Sequence, residues 1–295
     1  MRLATYRRSD GSHSVALVLD DDKALLLDGH RNGAPCDVDD MLAIIEAGDE
    51  ALTWLGQLAT ARANLAPVSD LRLAAPIPRP RKNIFCVGWN YLEHFEEGAK
   101  TRPAMEIPDR PTFFTKAPTT ANGPFDPISG LGKVTAKLDW EAEMAIIIGR
   151  RGRDIRESDA MAFVWGYMVL NDITGREVQR RHGNQWFKGK SLDGCAPMGP
   201  WITLAERVDP SSLRIACRVN GVTKQESSTQ HMYFKIPRLL SELSEGLTLE
   251  PGDIIATGTP AGVGHARNPP EFLKAGDVVE TEVEGLGLLR NRIVD

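Results

Sequence analysis

Turn-forming residues recur at short intervals beyond residue 82, and this punctuation constrains the fold more than any other feature of the sequence. The clearest turn signals are Asn122-Gly123-Pro124, Asp126-Pro127, Pro251-Gly252-Asp253 and Ala275-Gly276-Asp277. The segments between them show mainly strand patterns, whose spacing is typical of an antiparallel barrel or sandwich. The predicted helices of this region are few and short, at 158–162, 176–181 and 236–245, and the chain is predicted to end in a hairpin at 277–294.

The region before this β-rich part is predicted to be a small α/β unit. Its strand patterns cover 3–6, 15–19 and 24–27, and its helical patterns cover 39–47 and 51–63. In the segment 75–82, three prolines alternate with other residues, which excludes a helix or a central strand there. We therefore expect a mixed α+β fold with a small N-terminal α/β domain at 1–78 and a β-rich domain at 79–295.

Composition excludes several classes of partner. The chain has 295 residues, of which 42% are hydrophobic and 25% are charged, as in ordinary globular proteins. A formal net charge of −5 argues against a nucleic-acid partner, because such a partner requires a basic face. No apolar stretch is long enough to span a bilayer, residues 1–10 lack a secretory core, and the four cysteines lie too far apart for a metal or redox motif. We expect a cytoplasmic protein with reduced thiols and no membrane segment.

The first chemical signal is a pair of glutamates in the segment 138–149, which has the apolar, β-branched character of a buried strand. Alternate side chains of a strand share a face, so Glu141 and Glu143 are predicted to point the same way. Two carboxylates on one face repel each other unless a cation lies between them. A solvated strand face is the alternative, but the apolar residues on both faces of 145–148 favour a metal site.

Asp172 is the third candidate ligand. It follows the apolar strand pattern at 164–171 and precedes the predicted helix at 176, a position that also suits an N-cap. Three carboxylates without clustered His or Cys form a hard, oxygen-only ligand set. This set predicts Mg²⁺ or Mn²⁺ and disfavours Zn²⁺.

His94 and Glu97 are the candidate acid and base. Their spacing places both on one face of a helical turn, where the carboxylate can orient the imidazole and exchange a proton through water. An ordinary surface pair is the alternative for a His-x-x-Glu spacing taken alone.

These stretches together resemble the fumarylacetoacetate hydrolase family, from about Lys82 to the C-terminus. The resemblance is carried, in the family's order, by Cys86-Val87-Gly88-Trp89-Asn90-Tyr91, Phe114-Thr115-Lys116, Asp139-Trp140-Glu141-Ala142-Glu143, Asn171-Asp172-Ile173-Thr174, Lys188-Gly189-Lys190-Ser191 and Thr257-Gly258-Thr259-Pro260. It implies a mixed β-sandwich or β-roll domain, metal ligation by Glu141, Glu143 and Asp172, a water-activating dyad of His94 and Glu97, and a homodimer.

The resemblance also implies roles in substrate binding. It assigns the oxo and carboxylate groups of the substrate to Arg176, Gln179 and Lys190, with Lys190 also stabilising an enolate, and it places Thr259 and Lys116 near the pocket. Fixed cations suit an anionic oxo-acid substrate, because arginine grips a carboxylate in two places. The chain departs from the commoner pattern at Trp89, Gly175 and Glu177. The glycine-rich segment 258–264 is interpreted as a tight loop beside the pocket, because no helix follows it to form a phosphate site.

The function predicted on this basis is metal-dependent hydrolysis of a C–C bond in an acylpyruvate or a related 1,3-diketo acid. The same centre would suit decarboxylation of oxaloacetate, or the tautomerisation or isomerisation of a 2-hydroxydiene dioate. A protein that kept the fold but only binds a metal or a ligand is the non-enzymatic alternative.

Overall fold

The computed structural model describes residues 1–20, 22–62, 65–98, 106–129, 132, 134–183 and 185–295. The strands are β1 Arg2–Arg7, β2 His13–Asp20, β3 Lys23–Leu26, β4 Leu65–Pro67, β5 Ile84–Gly88, β6 Thr112–Lys116, β7 Ala121–Asn122, β8 Leu138–Asp139, β9 Ala142–Ile148, β10 Val164–Asn171, β11 Thr174–Gly175, β12 Ala196–Leu204, β13 Arg214–Val219, β14 Val222–Ser228, β15 Ile254–Ala256, β16 Val278–Val283 and β17 Gly287–Arg292. The α-helices are α1 Met41–Glu46, α2 Gly48–Ala61, α3 Leu92–Glu97, α4 Arg176–Arg181, α5 Phe187–Lys190 and α6 Ile236–Ser244.

A large mixed sheet organises the molecule. Ten of its strands follow the order β4-β3-β2-β1-β12-β10-β9-β15-β5-β6, and β7 pairs with β12 beside this path. The path is open at both ends within the described residues, so the barrel alternative is excluded. A four-stranded sheet, β14-β13-β16-β17, and the short pair β8-β11 complete the β-structure.

Strand β9 shows why this sheet is buried on both faces. Every residue of β9 is buried. Met144, Ile146 and Ile148 pack into one hydrophobic cluster, whereas Ala145 and Ile147 pack into another on the opposite face. The alternation follows from the two-residue period of a strand. Apolar layers cover both sides, so any carboxylate carried by this strand is removed from water.

The N-terminal segment contributes strands to the same sheet. β1 pairs with β12 through Arg2↔Thr203 and Leu3↔Ile202, and the second hydrophobic cluster contains residues from both sides of position 78. The predicted boundary at 78/79 therefore lies inside one continuous sheet. The division into two domains stays a prediction.

Most local predictions agree with the structure. The three N-terminal strands, the α4 and α6 helices and the C-terminal hairpin lie where the sequence placed them, and Asp40 caps α1 by accepting a hydrogen bond from the Leu42 amide. The predicted helix at 158–162 is a 3₁₀ segment, Glu157–Phe163. The continuous strand predicted at 138–149 is wrong, because β8 pairs with β11 while β9 pairs with β10 and β15, and the chain changes partner at Trp140-Glu141. Residue 63, the predicted end of the second helix, lies outside the described residues.

Within the described ranges, no helix combines the length and the apolar character that a membrane span requires. All four cysteines are free thiols.

Leu3 offers a test of the shared sheet, because it is fully buried in the strand that joins the N-terminal segment to β12. We expect Leu3→Ala to lower the free energy of unfolding of the whole chain by about 2–5 kcal/mol. Val222→Ala, at a position that is 58% exposed, is the control and should change it little. Urea denaturation measures the free energy of unfolding of both variants. A Leu3→Ala transition that leaves the catalytic region as stable as before would contradict the shared core.

Candidate metal centre and active site

Three acidic side chains converge where β9 and β10 pair. Glu141 precedes β9, Glu143 is its second residue, and Asp172 directly follows β10. The register pairs Leu170 with Glu143, and the Asp172 amide donates to the Glu141 carbonyl oxygen at 2.9 Å. One carboxylate oxygen from each acid lies within 4.8 Å of the others, and all three side chains are buried. The solvated-face alternative for Glu141 and Glu143 is therefore excluded.

Lys190 bridges two of these acids. Its Nζ donates to Glu141 Oε2 at 2.6 Å and to Asp172 Oδ2 at 2.7 Å. Burial alone would lower the pKa of Lys190, but Asp172 and Glu141 outweigh it and raise that pKa. The amine is therefore a fixed positive charge at neutral pH. The N-cap alternative for Asp172 is excluded as well, because the N-cap of α4 is Gly175, no side chain caps that helix, and the Asp172 carboxylate accepts from Lys116 and Lys190.

Glu143 differs from the other two acids in its partners. Its Oε2 accepts a hydrogen bond from the Gly258 amide at 2.7 Å, and no described lysine or arginine forms an ion pair with it. Burial raises the pKa of Glu143, and the neighbouring Asp172 and Glu141 raise it further. Glu143 is therefore the acid of the cluster that no described cation pairs with. Three hard oxygen donors, one of them without a cationic partner, fit a divalent metal ion.

The predicted dyad forms on helix α3, close to the acidic cluster. His94 Nδ1 and Glu97 Oε1 lie 2.7 Å apart, and both side chains are largely buried. Burial would raise the pKa of Glu141, but Lys190, Arg176 and His94 hold it well below the usual range, so the imidazole lies within electrostatic reach of the cluster. Because a carboxylate only accepts, Nδ1 donates to Glu97 and Nε2 carries the lone pair.

One glycine-containing loop, 257–264, holds the dyad and the cluster together. The Gly258 amide donates to Glu143, and the Gly262 amide donates to Glu97 Oε2 at 2.8 Å. Gly262 has a φ of +105°, and a Cβ atom there would lie 2.2 Å from the Lys224 carbonyl oxygen, so only glycine fits. The segment ends in a 3₁₀ turn at Gly264–Ala266 and not in an α-helix. It lies beside the acidic cluster and the dyad, as the sequence predicted.

The cations that the family resemblance linked to the substrate have internal partners. Lys116 is fully buried and donates to Asp172 Oδ1 at 2.7 Å, to the Ile173 carbonyl oxygen at 3.1 Å and to Cys195 Sγ at 3.2 Å. These contacts use all three of its protons. Any effect of Lys116 on a substrate would therefore be transmitted through Asp172.

Arg176 is also bound within the protein. Its Nε donates to Asp139 Oδ2 at 2.7 Å, and its Nη2 forms an ion pair with Glu141 Oε1 at 2.7 Å that lacks the angle of a directed hydrogen bond. Nη1 makes a long contact of 3.4 Å with Gln179 Oε1. Of the three nitrogens, Nη1 is therefore held most weakly.

Thr259 lies next to the site but its hydroxyl serves the backbone. Its Oγ1 donates to the Ala142 carbonyl oxygen at 2.8 Å and accepts from Gln225 Nε2 at 2.8 Å. Gln225 also accepts from the Ala142 amide through Oε1. The two side chains clamp the glycine-containing loop to β9.

Asp139 was given no individual role from the sequence, although it begins the Asp-Trp-Glu-Ala-Glu motif. Its carboxylate is fully buried and accepts from the Arg176 side chain, the His265 ring and amide, and the Gly264 amide. Burial would raise the pKa of Asp139, but Arg176 and His265 outweigh it and lower that pKa. Asp139 therefore connects Arg176 to the end of the glycine-containing loop. Its place at the start of that motif is the local signal of this role in the sequence.

Glu143→Gln tests the metal site, because it preserves shape but removes the charge that no described lysine or arginine pairs with. We expect the variant to bind Mn²⁺ at least about tenfold more weakly than the wild type. Titration calorimetry on chelator-treated protein measures the affinity without reference to turnover. Glu93→Gln, at an exposed position of α3, is the matched control. Equal affinity in the wild type and in Glu143→Gln would rule out Glu143 as a ligand.

Asp139→Asn tests the buried ion pair. The change leaves the Arg176 guanidinium without its principal carboxylate, so we expect a loss of about 3–5 kcal/mol in the free energy of unfolding at neutral pH. Asp159→Asn removes the partner of exposed Arg156 and should have no measurable effect. Urea denaturation compares the two, and a similar small effect for both would mean that the Asp139 pair contributes little.

Comparison with known proteins identifies the family to which the chain belongs. The family model for the fumarylacetoacetate (FAA) hydrolase C-terminal domain matches residues 83–294. The chain is 45% identical over 228 residues to an oxaloacetate tautomerase of Bacillus subtilis, which covers 77% of this chain and 74% of that protein. It is 39% identical over 298 residues to a mitochondrial oxaloacetate tautomerase of Xenopus laevis, which covers 100% of this chain and 90% of that protein.

A solved structure is similar over the whole chain. The fumarylacetoacetate hydrolase of the psychrophile Exiguobacterium antarcticum superposes with a TM-score of 0.83 at 38% identity, covering 100% of this chain and 99% of that one. These relatives carry the names of enzymes. The resemblance found in the sequence motifs is confirmed, and the chain belongs to the fumarylacetoacetate hydrolase family.

Proposed function

We propose that this protein is a metal-dependent keto–enol tautomerase of a small dicarboxylic 2-oxo acid, of which oxaloacetate is the model substrate. The observation that carries the proposal is the His94–Glu97 dyad, with a 2.7 Å contact, beside three buried carboxylates that fit a cation. The two relatives named as oxaloacetate tautomerases support this reaction over the hydrolysis predicted from the sequence. Mg²⁺ or Mn²⁺ is the proposed ion.

Glu141, Glu143 and Asp172 would hold the ion, which when bound acts as a Lewis acid on the 2-oxo acid end of the substrate. Lys190 keeps Glu141 and Asp172 in place and remains charged. Its ammonium group provides a fixed positive charge close to where an enolate oxygen would form. Lys116 holds Asp172 from the opposite side.

The dyad carries the proton. His94 Nε2 takes the proton of the enol hydroxyl as that O–H bond breaks, and Glu97 stabilises the imidazolium through Nδ1. A proton then returns to C3 as the C–H bond forms, and the dyad regains its starting state. No water is consumed and the carbon chain is not cleaved. The reaction therefore requires only a positioned base and a stabilised enolate.

Recognition of the substrate carboxylate is proposed for Arg176 and Gln179. The contact between Arg176 Nη1 and Gln179 is long, at 3.4 Å, so a substrate oxygen can replace it at little cost. Two other nitrogens of the guanidinium remain bound to Asp139 and Glu141 and keep its plane fixed.

C–C bond hydrolysis of an acylpyruvate is the second candidate. The same dyad can activate water for attack on the distal carbonyl group, and the similar solved structure carries a hydrolase name. Oxaloacetate decarboxylation produces a related enolate without water. A purely ligand-binding role is disfavoured, because both dyad residues are present and paired. The homodimer and the cytoplasmic location stay predictions.

A panel of three reactions tests the proposal. With Mn²⁺ or Mg²⁺ present, we expect the wild type to accelerate the decay of enol-oxaloacetate ultraviolet absorbance. The acceleration of tautomerisation should be far larger than that of acetylpyruvate cleavage or of CO₂ release from oxaloacetate. His94→Asn retains a donor to Glu97 but lacks the Nε2 lone pair, so kcat should fall by about 10²–10⁴-fold.

His231→Asn, an exposed histidine on a 3₁₀ turn, is the control and should match the wild type. If the protein cleaves acetylpyruvate but does not accelerate enol decay, the tautomerase proposal is wrong and C–C bond hydrolysis is the supported function.

A further inference from the structure

Four aromatic side chains form a connected row, which we call the aromatic wall and define as Trp89, Phe95, Phe114 and Trp186. The Trp89 ring lies 6.2 Å from Phe95 and 4.7 Å from Trp186, and Trp186 lies 5.2 Å from Phe114. All three pairs have edge-to-face geometry, the favoured arrangement for aromatic contacts. Trp89, Phe114 and Trp186 are only partly buried, so the wall has an accessible face.

The wall begins at the proposed catalytic ammonium group and ends on the helix of the dyad. Lys190 Nζ lies 5.0 Å from the centre of the Phe114 ring while it bridges Glu141 and Asp172. At the other end, Phe95 follows His94 in α3. The row of rings therefore extends from Lys190 to the helix that carries His94.

The backbone near Trp89 is shaped for this arrangement. Trp89 has a φ of +56°, a left-handed conformation that non-glycine residues rarely adopt and that is concentrated at functional sites. A Cβ atom on Gly88 would lie 2.6 Å from the Trp186 ring, so glycine is required for that ring to pack here.

We propose that the aromatic wall binds an aryl group at C3 of a 2-oxo acid, so that arylpyruvates are substrates of the same enolisation. The inference rests on the proposed function and extends its substrate class. Rings favour an apolar, planar substituent, and Lys190, the cation that the described residues place against them, already contacts two carboxylates. The proton balance is unchanged, because the enol O–H bond breaks and a C3–H bond forms with no other reactant.

Phenylpyruvate and oxaloacetate, both supplied as enols with Mn²⁺, test the wall by the decay of enol absorbance above the buffer rate. We expect the wild type to accelerate both. Trp89→Leu and Trp186→Leu should each lower kcat/KM for phenylpyruvate at least roughly tenfold more than kcat/KM for oxaloacetate. Phe125→Leu, at a 54% exposed position that makes none of these ring contacts, should leave the ratio of the two constants unchanged.

The outcomes separate the two proposals. If enol decay is accelerated for oxaloacetate but not for phenylpyruvate, the aryl-binding proposal is wrong and the tautomerase proposal stands. If it is accelerated for neither substrate, both proposals are wrong. Equal losses for the two substrates in both leucine variants would mean that the rings only support the structure. If a leucine variant does not fold, Trp89→Phe serves as the test. Its smaller ring should lower the ratio of kcat/KM for phenylpyruvate to kcat/KM for oxaloacetate, but less than leucine would, and an unchanged ratio would contradict the proposal.

Discussion

The molecule depends on holding three like charges together in a water-free interior. Glu141, Glu143 and Asp172 present oxygens within 4.8 Å of one another, where low dielectric makes their repulsion large. Lysines, an arginine and a backbone amide surround the cluster and reduce that repulsion. Of the three acids, Glu143 has no described cationic partner, so its carboxylate is the one that a hard divalent cation could neutralise. Removal of the compensating groups would be costly for the fold, so we expect the same contacts to influence both stability and metal affinity.

Much of the site was predictable from the sequence because its signals are local. The two-residue period of a strand predicted that Glu141 and Glu143 would share one side, and their carboxylates do come together although Glu141 precedes β9. The spacing of three residues predicted that His94 and Glu97 would lie on one face of a helix. The partner exchange at Trp140 was not predictable, since it depends on which distant strands pair with β8 and β9. For the same reason the addition of β1 to the edge of β12 could not be predicted from local patterns.

The cations illustrate a second limit of the sequence. Motif position linked Lys116 and Arg176 to the substrate, but only the three-dimensional structure shows which acceptors each nitrogen already has. Lys116 has three internal acceptors, and Arg176 has two carboxylates. Asp139 escaped notice because its role lies in contacts with residues more than 30 positions away. Motif position therefore identifies residues of the candidate site, whereas the internal partners of those residues determine which groups remain available to a substrate.

The segment 257–264 ties two parts of the site into one mechanical unit. The Gly258 amide donates a hydrogen bond to Glu143, a proposed ligand of the ion. Four residues later, the Gly262 amide donates to Glu97, the carboxylate of the dyad. The spacing between the proposed metal ligand and the carboxylate of the dyad is consequently constrained by a short stretch of backbone. A substitution elsewhere in the pocket could alter substrate preference without changing that spacing.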